Sequence, residues 1–134
     1  MARRRRVLSD AAVHELSICQ ALVRQLRGIS TQHGGGEVAL VKLRIGPLSG
    51  IESAQLEQAF PLAAAGTPAA RAVLEIITAP VRIHCVDCGT ETATAPNRLL
   101  CGCCGSLRTR LLSGDEMLLE SVELELAMPA AAIA

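Results

Sequence analysis

The chain has 134 residues, a formal net charge of zero and a composition that is half hydrophobic, yet it contains one Phe and no Trp or Tyr. Its core must therefore be built from Leu, Ile, Val and Ala, and a stacking platform for bases or sugars is all but excluded. The charge is unevenly placed: Arg3, Arg4, Arg5 and Arg6 crowd one end, and without residues 1–12 the count is 9 Lys+Arg against 12 Asp+Glu, a net −3 that disfavours phosphate-rich partners.

Residues 1–12 read as a tail, because adjacent like charges repel and nothing nearby pairs them. An alternative expectation is a mis-assigned start, with Val13 as the initiating residue. The arginine run is not followed by the apolar segment of a secretory signal, and no stretch approaches the ~18 apolar residues of a membrane span, so the expected location is the cytoplasm without membrane contact.

From Leu16 to about Gln32 the apolar residues Cys19, Leu22, Val23, Leu26 and Ile29 recur at helical spacing, and His33-Gly34-Gly35-Gly36 ends the helix. Cys19 falls on the apolar stripe and reads as a small buried hydrophobe. Glu37 to Ile45 alternates, with Val41, Leu43 and Ile45 on one side and Lys42 and Arg44 on the other, the period of a half-buried strand. A second amphipathic helix is expected from Ser49 to Ala65, with Ile51, Leu56, Ala59, Phe60 and Ala63 inward. Ser49 and Glu52 would form its capping box, and Pro61 would kink it or cost it the last turn. Ala72 to Thr78 and Met117 to Leu126 alternate again, the latter with Leu118, Val122, Leu124 and Leu126 inward.

Between these last two strands lies Cys85-Val-Asp-Cys88, then twelve residues, then Cys101-Gly-Cys103-Cys104, with Gly89 and Gly105 after the two pairs. Two CxxC pairs at that separation put four thiolates within reach of one tetrahedral ion, and Zn²⁺ is the ion that takes four soft ligands. Disulfides are the weaker reading in a chain with no sign of an oxidising compartment. Cys103 reads as a spare thiol, since a structural zinc fills four positions. His84 reads as a solvent-facing neighbour of the metal loop, with a role beside a thiolate as the alternative; His33 has no specific role, and Asp115 and Glu116 read as turn and edge charges.

The expected fold is α+β: a small three-stranded sheet covered by two helices, over residues 13–80 and 111–127. A four-cysteine, zinc-ribbon-like module is inserted at 81–110, and residues 128–134 form a frayed tail. No nucleophile with its base and no phosphate loop is present, so the chain does not read as an enzyme.

The segments His14-Glu15-Leu16-Ser17-Ile18-Cys19, Arg44-Ile45-Gly46-Pro47-Leu48-Ser49-Gly50-Ile51, Gly66-Thr67, the double CxxC, Gly105-Ser106 and Gly114-Asp115-Glu116-Met117-Leu118 closely resemble the HypA/HybF family. These are nickel metallochaperones of hydrogenase maturation, and the resemblance runs from Val13 to about Leu126. It implies a protein that receives Ni²⁺ and hands it to the precursor of the [NiFe]-hydrogenase large subunit. It also implies a HypB-type GTPase partner and, in some relatives, service to urease maturation. By the same resemblance Cys85, Cys88, Cys101 and Cys104 hold structural zinc, and His14 and Glu15 match the nickel-site residues. A histidine in second position can close a chelate of terminal amine, amide nitrogen and imidazole, which suits Ni²⁺ better than Zn²⁺; here twelve residues precede Val13, so a peptide nitrogen replaces the amine. The competing reading is a zinc-ribbon adaptor for nucleic acid or a protein partner, weakened because Arg98 is the only cation between the cysteine pairs. A monomer or weak homodimer is expected.

Overall fold

The computed structural model describes residues 10–126; the arginine run and the residues from 127 onward lie outside them. The element order is α1 (Asp10–Gln32), β1 (Glu37–Ile45), α2 (Ser53–Ala64), β2 (Val73–Thr78), β3 (Arg82–Cys85), β4 (Glu91–Ala93), β5 (Thr109–Ser113) and β6 (Met117–Glu125). These build an α+β architecture of two helices and two three-stranded sheets, ordered β2-β1-β6 and β4-β3-β5.

On α1, Glu15, Cys19, Leu22, Val23, Leu26 and Ser30 are buried, a stripe at steps of three and four that packs against α2. The stripe is the one read from the apolar residues with two polar additions, Glu15 at its head and Ser30 at its end, while Ile29 is only half-buried. The helix also begins at Asp10, so part of the expected tail, Asp10 to Ala12, is helical backbone. α2 buries Leu56, Ala59, Phe60 and Ala64. It opens at Ser53 rather than Ser49, and the expected capping box does not form: the N-cap is Glu52 with no side-chain capping bond, while Ser49 Oγ accepts the Ile51 N–H at 3.2 Å within the preceding turn. Pro61 sits inside the helix, which carries on to Ala64.

β1 buries Val41, Leu43 and Ile45 as its alternation predicts. β6 departs from expectation. Glu120 and Ser121 are both exposed, so the alternation changes phase there, and Met117 and Leu119 rather than Leu118 are the half-buried residues ahead of the shift. Leu118 is 53% and Leu126 58% exposed, a correction to their inward assignment.

Among the described residues the chain divides into two compact units, residues 10–41 with Glu52–Leu74 and 122–126, and Lys42–Ile51 with Glu75–Ser121. Within the second unit the turn after β1 meets the turn before β6: Gly46 N–H donates to the Glu116 carbonyl at 2.8 Å and Leu48 N–H to the Gly114 carbonyl at 2.7 Å. The backbones approach so closely that a Cβ on Gly46 would collide with the Gly114 carbonyl. Glu116 Oε1 accepts the Gly114 N–H at 2.7 Å, the turn role expected of this carboxylate. The second sheet runs past the expected module boundary at 110, since β5 pairs with β3 as far as Arg82↔Ser113.

Candidate metal sites

The second sheet presents two knuckles of the same design. In the first, Cys88 N–H donates to Cys85 Sγ at 3.4 Å and Gly89 N–H to the Cys85 carbonyl at 2.9 Å. In the second, Cys104 N–H donates to Cys101 Sγ at 3.4 Å and Gly105 N–H to the Cys101 carbonyl at 2.9 Å. Gly89 and Gly105 both hold φ at 73°, the left-handed turn that each repeated CxxCG predicts. β3 delivers Cys85 at its end and is flanked by β4 and β5, with Ile83 fully buried beneath.

The sulfurs of Cys85, Cys88, Cys101 and Cys104 all lie within 4.8 Å of one another, with Cys85 to Cys104 at 3.6 Å and Cys88 to Cys101 at 3.5 Å. Their acidities are pushed apart. The Thr90 hydroxyl and amide, then Cys101, hold the Cys88 thiol down to about 6. Cys101 is lowered by the amides of Cys104 and Cys103. For Cys104 the Ser106 amide pulls down, but the Cys85 thiol, burial and the other thiols outweigh it and push the group up to about 12. Four converging thiols cannot all ionise unaided, because like charges at this range oppose one another; a dication removes that conflict and completes a closed S₄ set. The donor set therefore fits a tetrahedral thiophilic ion.

Cys103 is exposed outside this set, and its amide donates to Cys101 Sγ at 3.3 Å. His84 stands half-buried on β3 opposite Glu91 and Arg110. His33 follows α1, its Nδ1 donating to the Ile29 carbonyl at 2.9 Å. Beside the knuckles Asp87 accepts a hydrogen bond from Ser106 Oγ and pairs with Arg108 at 3.2 Å.

The second candidate lies on α1. His14 is 59% exposed at its side chain while Glu15 is fully buried, with His14 Nδ1 3.7 Å from Glu15 Oε1. Glu15 Oε1 accepts the Glu52 N–H at 3.1 Å, whereas Oε2 is buried without a hydrogen-bond partner. One turn on, the buried Cys19 thiol donates to the Leu56 carbonyl at 3.5 Å; burial, then the Glu15 charge, push it up to about 11, so it stays a neutral donor at neutral pH. With α1 beginning at Asp10, helical geometry places the His14 N–H toward the Asp10 carbonyl. A chelate through a deprotonated His14 amide would therefore unwind the first turn, and the imidazole is the nitrogen left to offer. The contact that sequence reasoning missed is Glu15 to Glu52. Its only signal is the carboxylate four residues before Cys19 on an otherwise apolar stripe.

An α+β fold carrying a tetrathiolate module and a separate, partly open histidine–carboxylate pair defines a small metal-handling protein. The family described as hydrogenase/urease nickel incorporation, metallochaperone HypA matches residues 13–124. The hydrogenase maturation factor HypA of Nitrosospira multiformis is 49% identical over 112 residues, covering 84% of this chain and 97% of the relative. That of Aquifex aeolicus is 39% identical over 113 residues, covering 84% and 98%. The solution structure of the Ni metallochaperone HypA from Helicobacter pylori superposes with a TM-score of 0.60 at 23% identity, over 82% of this chain and 96% of that one. A further HypA solution structure reaches 0.66 at 23% identity, over 84% and 97%. The chain belongs to the HypA family, a family of metallochaperone maturation factors and not of enzymes. Among the described residues no helix is long and apolar enough to cross a membrane.

Proposed function

We propose that the chain binds Ni²⁺ at His14 and Glu15 and delivers it to the [NiFe]-hydrogenase large-subunit precursor, with urease maturation as a further destination. In this reading a HypB-type GTPase is its partner, the setting is the cytoplasm, and Cys85, Cys88, Cys101 and Cys104 hold Zn²⁺ as scaffold. The observation that supports the nickel assignment is an exposed imidazole whose Nδ1 lies 3.7 Å from Oε1 of a fully buried carboxylate. A nitrogen and an oxygen donor suit a borderline ion, and a site with few protein ligands can release it.

Ligand chemistry supports the division of labour. Four thiolates make metal binding part of folding, on the order of 10 kcal/mol or more, which is too tight for a cargo. Nickel titration of the zinc-loaded full chain, compared with His14→Ala, tests the reading. The expected result is nickel uptake that depends on His14 and a zinc content that does not; uptake of nickel unchanged in His14→Ala would overturn it.

A further inference from the structure

α2 opens without help from its own sequence. Its N-cap Glu52 makes no side-chain capping bond and its first turn holds no acidic residue. The open N–H groups of the helix start are therefore capped by no side chain of its own segment. The missing anion comes from α1, where Glu15 Oε1 accepts the Glu52 N–H at 3.1 Å. A second rung lies one turn further along both helices, Cys19 to the Leu56 carbonyl at 3.5 Å. Steps of four on each helix make these successive rungs on facing sides. Glu15 is 0% exposed, and Oε1, the oxygen that holds the Glu52 N–H, is also the one 3.7 Å from His14 Nδ1; Oε2 is buried without a hydrogen-bond partner, so the carboxylate is under-satisfied as it stands.

We infer that Glu15 is a positioning residue whose single negative charge is shared at Oε1 between the first turn of α2 and a divalent cation taken up beside His14, so that each weakens the other's hold. The inference rests on the reading that His14 takes such a cation. An ionised acceptor makes a much stronger hydrogen bond than a neutral one, so a cation drawing charge from the carboxylate loosens the Glu52 bond. By linkage the helix start lowers the cation's affinity by the same factor. The device keeps the site able to let go: the cation is never offered the whole of its carboxylate.

Hydrogen exchange of the zinc-loaded full chain, read by mass spectrometry over residues 52–56 with and without Ni²⁺, tests this. Nickel loading is expected to speed exchange there by roughly two- to fivefold, the size of a charge effect at a helix terminus. In Glu15→Gln the amide oxygen still accepts the Glu52 N–H but carries no charge to share. Exchange should then already be faster than in the metal-free parent, near the nickel-loaded rate, and no longer answer to nickel, a response that a purely structural role for Glu15 would not produce. In Glu15→Ala exchange should be fast even without metal. Exchange in the parent chain that is unchanged or slowed while nickel binds through His14 would overturn the sharing, as would a Gln variant that still responds. If no nickel binds through His14, the functional reading fails and the sharing with it. The anchor then stands or falls on Glu15→Ala, where unchanged exchange at 52–56 would overturn it.

Discussion

In the sulfur site, four donors converge to within 4.8 Å of one another, from two knuckles that repeat the same N–H to sulfur and N–H to carbonyl bonds. At the head of α1 there are two donors: one side chain is largely in solvent, and the other already has an oxygen engaged by a neighbouring helix. The first arrangement is a set of thiols brought together by two knuckles on a three-stranded sheet; the second is held by helix packing through the Glu52 N–H. The lesson is that grip follows from what else the donors are doing. On the proposed reading, cysteines whose main partners are one another hold metal as part of the fold, while a carboxylate with a structural duty holds it only in part.

The largest effect should come from breaking the sulfur site. Removing zinc by chelation, or Cys85→Ser, is expected to unfold the β4-β3-β5 sheet, because binding on the order of 10 kcal/mol is lost with it. Hydrogen exchange over residues 82–113 checks this, with α1 and α2 expected to keep their protection. Next in size, Glu15→Ala should lower thermal stability by about 1 kcal/mol, the usual cost of losing a helix cap, measured on zinc-loaded protein.

The Cys19 rung sharpens the same contrast through pH. Its thiol is pushed from an ordinary 9.0 up to about 11, so the folded state holds the proton more tightly than the unfolded chain does. That contribution is complete below pH 9 and disappears as pH rises from 9 to 11. Alkaline unfolding curves of Cys19→Ala should accordingly fall less steeply across this window than those of the parent. The smallest effects are expected at the two exposed groups: His14→Ala and Cys103→Ser should each leave stability within about 0.5 kcal/mol. Metal analysis should find the zinc content of Cys103→Ser unchanged.

The sulfur site was legible from spacing alone, since a double CxxC with following glycines leaves little conformational choice. Cys88 and Cys101 meet because both knuckles close in the same way. β1 and most of α1 were equally plain, their buried residues falling at periods of two and near four. The short strands around the knuckles were not foreseen: Arg82–Cys85 and Glu91–Ala93 are too brief to show alternation, and only pairing across the module reveals them. Leu118 was misplaced because one phase shift at Glu120-Ser121 reverses every position ahead of it. The start of α2 was misjudged for a related reason. A cap supplied by Glu15, thirty-seven positions away, leaves no trace in the local pattern, and Ser49 offered a local one that the turn uses differently.

The hydrogen bond from Ser113 Oγ to the Pro80 carbonyl, 2.8 Å long, ties together the two ends of the segment that carries the cysteines. Entry and exit of some thirty residues thus lie side by side, and Arg82 still pairs with Ser113 there. Topologically the sulfur-bearing segment hangs from a clasp: a short turn joining Pro80 to Ser113 would span the gap, and the limit on exchanging what lies between is Val81, which abuts Gly114 where Gly46 meets it.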